Sequence, residues 1–317
     1  MNRLPVELWT QIFLFACVDG GGTGCALSET CHYFRDVVLP VQLHSVALVG
    51  GLKTQAFLDV LEGRAAENRC VEHLFTSQGR ESRLALDMVQ RLFEFLAPTL
   101  RTFTSTLPQT GLRIDRASVL THSFPRLEEL TMHGYLNLLE NLPLARGVAL
   151  QPFPALKRLH VLSSCDSALF IAKRAPSLTH LRLSGVCNMS DALYMGIACF
   201  LGADVAPAQD QGLPSASTDE PGVLPETIKQ IIIEPDWKIA RFFWGQNHAR
   251  AGAFHRLKMA ERQGVFSLLE TKVNSRGMPN DARKGWEERI VGGGGCWTVS
   301  RGEDVQAQSR IPRHMEI

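Results

Sequence analysis

The stretch Pro154-Ala-Leu156-Lys-Arg-Leu159-His-Val161 decides the fold, and one interval later Pro176-Ser-Leu178-Thr-His-Leu181-Arg-Leu183 repeats it. Each copy sets apolar residues at positions one, four and six, two places behind a proline. Alternation at the end of the unit is a strand signature, because successive side chains of a strand point to opposite faces. Working outward, the unit recurs as Leu127-x-x-Leu130-x-Met132 behind Pro125 and as Leu100-x-x-Phe103-x-Ser105 behind Pro98. Looser copies are Leu43-x-x-Val46-x-Leu48, Val71-x-x-Leu74-x-Thr76 and Ile228-x-x-Ile231-x-Ile233, with Val265-x-x-Leu268 as a degenerate last one. Their leading residues lie 28, 29, 27, 29, 22, 50 and 37 apart, and most of these intervals suit one strand plus one returning helix. A proline at a strand start sacrifices only a donor at a sheet end. Helices are expected over Gln55–Leu61, Leu84–Leu96, Ser167–Arg174 and Ser190–Phe200, the last capped by Ser190-Asp191.

Composition narrows the function classes. A chain of 317 residues with 45% hydrophobic and 21% charged residues can bury a large core, which excludes general disorder. Lys and Arg number 33 against 32 Asp and Glu, a balance that argues against nucleic acid or a membrane surface as partner. The eight cysteines are dispersed and form no C-x-x-C pair, so no structural zinc site is expected and the compartment reads as reducing, cytosol or nucleus. The apolar run from Ala192 to Ala203 is shorter than the ~20 residues a membrane helix needs.

No catalytic constellation emerges. There is no G-x-S-x-G elbow and no H-E-x-x-H helix. Gly20-Gly21-Gly22-Thr23-Gly24 lacks the Lys-Ser/Thr pair and the preceding strand of a phosphate loop, and reads as a turn joining helices. His133, His160 and His180 sit at different offsets in adjacent repeats and are not expected to converge on a metal. Cys165, Cys187 and Cys199 read as packing residues. Neither a cofactor nor a metal is expected, and the chain reads as a non-enzyme.

The amino end has its own pattern. In Leu4-Pro-Val-Glu-Leu8-Trp-Thr-Gln-Ile12-Phe13 the apolar residues recur at helical spacing, with Pro5 in the first turn and Glu7 at the positive end of the dipole. This periodicity, with Thr10 and Gln11 inside the apolar run, sets the segment apart from the signal peptide it superficially imitates. A second helix is expected through Leu27, Cys31, Phe34 and Val37, ending at Pro40. Two such helices have more apolar surface than they can hide against each other, which implies a partner.

These residues resemble a family. LPVELWTQIF followed by ALSETCHYFRDVVLP looks like the F-box, a short helical module that docks onto the Skp-type adaptor of cullin–RING ubiquitin ligases. The glycine stretch between the two segments is longer than the family's usual link. The resemblance implies that Leu4, Pro5, Leu8, Ile12 and Phe13 meet the adaptor, with Leu27, Cys31 and Phe34 holding the module together or extending the contact. The repeats resemble irregular leucine-rich repeats, and the pairing is similar to the F-box/leucine-rich-repeat substrate receptors, especially the divergent fungal set. The tail Trp286-Glu-Glu-Arg-Ile-Val-Gly-Gly-Gly-Gly-Cys-Trp297 has the look of those fungal proteins as well.

The expected fold class is therefore α+β: an F-box-like helical module at 1–40, an irregular repeat solenoid at 41–235 with a flexible loop at 203–224, a helical C-terminal region at 236–298 and a disordered tail at 299–317. Residues two and four after each leading position should point away from the core onto an open concave face. They are His73 and Phe75, Thr102 and Thr104, Glu129 and Thr131, Arg158 and His160, His180 and Arg182. This mixture suits recognition of a polypeptide. The expected function is a substrate-recognition adaptor in a Skp–cullin–F-box ligase, cytoplasmic or nuclear. A repeat scaffold with no ubiquitin role stays open beside it, as does an enzyme using His248 or His255 next to a carboxylate.

Overall fold

Every copy of the six-residue unit becomes one strand. The computed structural model describes residues 4–77, 86–106, 121–133, 151–162, 165–186, 191–202, 224–236, 256–262, 264–269 and 278–298. Strands β1 (Ser45–Val49), β2 (His73–Ser77), β3 (Thr102–Thr106), β4 (Glu129–His133), β5 (Arg158–Leu162), β6 (His180–Val186) and β7 (Gln230–Pro235) each start two residues after a leading apolar residue. The short β8 (Phe266–Leu268) falls on the degenerate copy but two residues out of the expected register: Phe266 pairs with Ile231 and Leu268 with Ile233, so Leu268 takes the sixth place and Val265 is not a leading core residue. All eight form one parallel sheet in the order of the chain, from β1 at one edge to β8 at the other. The register is that of the repeat: Leu74 pairs with Phe103, Phe103 with Leu130, Leu130 with Leu159 and Leu159 with Leu181.

A forked hydrogen bond joins each turn to the next. The carbonyl one residue past each leading position accepts from two successive amides of the following strand. Thus His44 takes the N–H groups of Glu72 and His73, and Glu72 those of Arg101 and Thr102. The series continues through Thr179, which takes those of Lys229 and Gln230.

The leading, fourth and sixth residues build the core under helices α4 (Gly51–Glu62), α5 (Leu86–Leu96), α6 (Cys165–Ala172) and α7 (Asp191–Leu201). Leu74, Leu100, Leu127, Leu130, Leu156, Leu159, Leu178 and Leu181 are fully buried, each contributing roughly 1.5–3 kcal/mol relative to exposure. Phe93, Phe124 and Phe153 add an aromatic row on this side, with ring centroids 5.3 and 6.1 Å apart. Phe124 and Phe153 directly precede the repeat prolines.

The opposite face is covered too. Helix α8 (Met278–Ile290) and the short turn Gly295–Trp297 lie against it, Trp286 packing on Phe75 at 5.7 Å and Trp297 between the rings of His160 and His180. Both flanks of a parallel sheet are thus clad, as parallel sheets require.

The amino end folds as three helices, not two: α1 (Val6–Ala16), α2 (Gly22–Thr30) and α3 (His32–Val38). Cys31 is extended and its Sγ accepts the Phe34 amide, which ends one helix and caps the next. The glycine run is divided in the same way. Gly20 and Gly21 adopt positive φ, where a side chain would strain the backbone, and Gly22 opens α2.

The expected α+β class is overturned. The chain is α/β, a single eight-stranded parallel sheet, and not a helical module followed by a separate repeat solenoid. The physical reason lies at β1. Ala47 donates its amide to the Gly20 carbonyl at 3.1 Å, and Ser45 Oγ donates to the Cys17 carbonyl at 2.7 Å. The helices thereby close the edge of the sheet instead of standing apart. The expected loop at 203–224, all but its last residue, residues 237–255 with His248 and His255, Cys187, Ser190 and the 299–317 tail lie outside the described residues.

Candidate functional site

Two surfaces bear on function, and the first is the outer face of α1. A small aromatic core of Trp9, Phe13 and Phe34, with centroids 5.0–5.6 Å apart, holds α1 against α3 together with Cys17, Val37 and Val38. Phe13 is 3% exposed and so belongs to this core, not to a docking surface. Leu27 and Phe34 are half-buried beside it, in the holding role, while Cys31 is exposed. On the other side Leu4, Pro5, Val6, Leu8 and Ile12 remain open to solvent, Leu8 at 43% and Ile12 at 47%, and Phe15 at 80% extends the patch. A spacing of four keeps Leu8 and Ile12 on one stripe of α1, and Leu4 stands just before the helix.

The second surface is the strand face expected to be open. Its residues do line up on one side, but half of them are buried there, under the C-terminal segment. Phe75, Thr104, Glu129, Thr131 and His160 are buried, whereas His73, Thr102, Arg158, His180 and Arg182 are half-exposed. Glu129 is the anchor: it accepts from Arg289 Nε at 3.0 Å and Nη2 at 3.0 Å and from Trp297 Nε1 at 3.1 Å, with Arg158 at 3.7 Å. Further along, Arg182 pairs with Glu234 at 2.8 Å and donates to the Cys296 carbonyl. Sequence reasoning missed this cover. The sequence placed this segment in the C-terminal region at 236–298 without saying what it packs on; its signal was the paired Trp286 and Trp297 around Arg289.

Ser184, His160 and Glu234 meet here and invite comparison with a nucleophilic triad. His160 Nε2 lies 3.0 Å from Ser184 Oγ, but Ser184 donates its proton to Glu234 at 2.9 Å. In a triad the carboxylate orients the histidine, which takes the serine proton. Here His160 Nδ1 is buried with no partner among the described residues, and the carboxylate holds the serine's proton in place of the imidazole. Burial drives the His160 value far below the ordinary imidazole range, and the buried Cys296 thiol is pushed up to about 11. The group works as a hydrogen-bonded joint.

His133 and His160 stand 5.3 Å apart ring to ring, but no third ligand joins them among the described residues. A different set does converge: ligand atoms of His44, Glu72 and His73 all lie within 4.8 Å of one another at the start of β1 and β2. Burial lowers both histidines, His73 to about 3 with the neighbouring His44 as the next cause. Offsets of one and two in adjacent repeats bring these residues together, a spacing that a search for C-x-x-C pairs passes over.

A row of alternating charge follows along the same strand starts. Glu72, Arg101, Glu128 and Lys157 pair in sequence at 3.5, 2.9 and 2.9 Å. Among the described residues no helix is long and apolar enough to cross a membrane. No protein-family model matches the chain, and no curated protein aligns with it significantly.

Proposed function

We propose that the chain is a non-catalytic substrate-recognition subunit of a Skp–cullin–F-box ubiquitin ligase, working in the cytosol or nucleus. The observation that carries this reading is the solvent-facing stripe of Leu8 and Ile12 on α1, with Leu4 exposed just before the helix, backed by a separate aromatic core that holds α1 against α3. The stripe docks onto the Skp-type adaptor, and through it onto the cullin–RING enzyme. A target protein is held at the accessible strand starts, where His73, Thr102, Arg158 and His180 are half-exposed beside the Glu72–Lys157 charge row. The chain makes no bond itself; it raises the effective concentration of target near the loaded enzyme.

Burial of Leu8 and Ile12 at the adaptor contributes roughly 1.5–3 kcal/mol each. Leu8→Asp is expected to weaken adaptor co-purification by at least about 100-fold. Because Leu8 faces solvent, the thermal transition should stay unchanged. Retained co-purification by Leu8→Asp and Ile12→Asp together refutes the docking role. The hydrogen bonds from Ser45 and Ala47 to the helical segment favour a second reading, a repeat scaffold whose helices only close the sheet edge. That reading requires that no Skp-type adaptor binds at all.

A further inference from the structure

We propose that His44, Glu72 and His73 form a binding site for one borderline divalent cation, zinc in the first place, at the junction between the helical segment and the sheet. The site goes beyond the adaptor reading and does not depend on it. His44 ends the loop that leads from α3 into β1, while Glu72 directly precedes β2 and His73 opens it. The forked hydrogen bond from the His44 carbonyl to the amides of Glu72 and His73 fixes the three backbones against one another at 3.0 Å. Their side chains therefore project from a rigid support, the requirement for a preorganised ligand set.

The chemistry of the donors selects the ion. Two imidazoles and one carboxylate are the set that zinc takes in open sites, leaving a position for water. The imidazoles meet edge to face, with centroids 4.8 Å apart. Ligand atoms around tetrahedral zinc stand about 3.3 Å apart, given metal–ligand bonds of about 2.0–2.1 Å. With the ligand atoms within 4.8 Å of one another, side-chain rotations that shorten these separations by up to about 1.5 Å close the set.

The surroundings fit a ligand role. His73 Nδ1 lies 2.9 Å from Thr102 Oγ1, so with Nδ1–H donating to the hydroxyl the lone pair stands on Nε2, the outer-shell arrangement of metal-bound histidines. Glu72 is held only loosely by Arg101, at 3.5 Å, while Arg101 makes its closer pair with Glu128 at 2.9 Å. The carboxylate can thus turn to a cation without stranding the guanidinium. Glu72 and His73 are half-buried, which leaves a solvent route for the ion and its water. Bound there, zinc ties the 41–44 loop to β2 and fastens the first two strands under the helices.

The test is titration of the full-length protein with Zn²⁺ by calorimetry, and with Co²⁺ by absorption to read the donor atoms. One ion per chain is expected, with a d–d spectrum of nitrogen and oxygen donors and a rise in the melting temperature on loading. His44→Ala, Glu72→Gln and His73→Ala should each weaken binding at least tenfold, and Thr102→Val about tenfold through the lost outer-shell bond. Circular dichroism of the metal-free variants checks their folding, and Glu72→Gln, a partly exposed isosteric change, keeps the test sound if a histidine variant fails to fold. A thiolate-to-cobalt band, affinity unchanged in Glu72→Gln or in His44→Ala/His73→Ala, or the absence of saturable binding overturns the site.

Discussion

Arg289→Ala tests whether the C-terminal segment is an integral cover of the sheet. Arg289 is the main cation on Glu129, whose side chain is 9% exposed, and it reaches the carboxylate through Nε and Nη2 at 3.0 Å each. Removing one partner of a buried pair costs about 3–5 kcal/mol, because the remaining charge loses its compensation in a poorly solvating interior. Here Trp297 Nε1 stays at 3.1 Å and Arg158 at 3.7 Å, so part of the compensation survives. The expected loss is about 2–4 kcal/mol, equivalent to a fall of about 4–8 °C in the midpoint for a chain of this size. Glu129→Gln keeps an acceptor for the indole and removes the charge; in a double-mutant cycle the two sites should couple by about 1–3 kcal/mol. The assay is urea and thermal unfolding, read together with limited proteolysis of the region beyond Ile290, which should become susceptible once the anchor is gone. A midpoint within a degree of the wild type, with the proteolytic pattern unchanged, refutes the argument that this pair holds the segment down.

Gly24→Ala should destabilise by about 1–3 kcal/mol despite alanine's better helix propensity, because the added Cβ would stand 2.4 Å from the Gln42 carbonyl oxygen. Thermal denaturation checks this, and a gain in stability would show that α2 does not approach the 42 backbone so closely. Burial, with the Arg182 charge second, holds His133 down to about 4 from the ordinary 6.5. The unfolded chain therefore takes up that proton first on acidification. The stability contribution is complete above about pH 6.5 and is lost as the pH falls through about 4, by about 3 kcal/mol in all for such a group. Urea midpoints should drop over this window, with a shallower slope in His133→Gln; an identical slope in the variant contradicts the assignment.

Much of the sheet was legible because its signal is local. The leucine-led unit sets the strand start two residues on, and the alternation after it assigns Leu130 and Met132 to the core and Glu129 and Thr131 to the other face. Likewise the four-residue spacing of Leu8 and Ile12 marked the stripe that stays bare. Phe13 misled because a helical stripe wide enough for two faces does not say which edge turns inward; the choice fell to Trp9 and Phe34, which enclose it. The α+β class failed for a related reason. Whether a helical segment stands free or joins a sheet depends on a few hydrogen bonds, here from the Ala47 amide and the Ser45 hydroxyl, that leave no trace in composition.

The amino-acid order by itself determined where the strands β1 to β7 start and which of their side chains turn to the core, since these depend on neighbours within a few residues. Only the tertiary structure decided what lies on the other side of the strands. Glu129 meets Arg289 and Trp297 across separations of 160 and 168 residues, and His44 meets His73 through the register of two strands. Such contacts depend on how distant surfaces fit and on which charges must be compensated once water is excluded, and no periodicity along the chain encodes that.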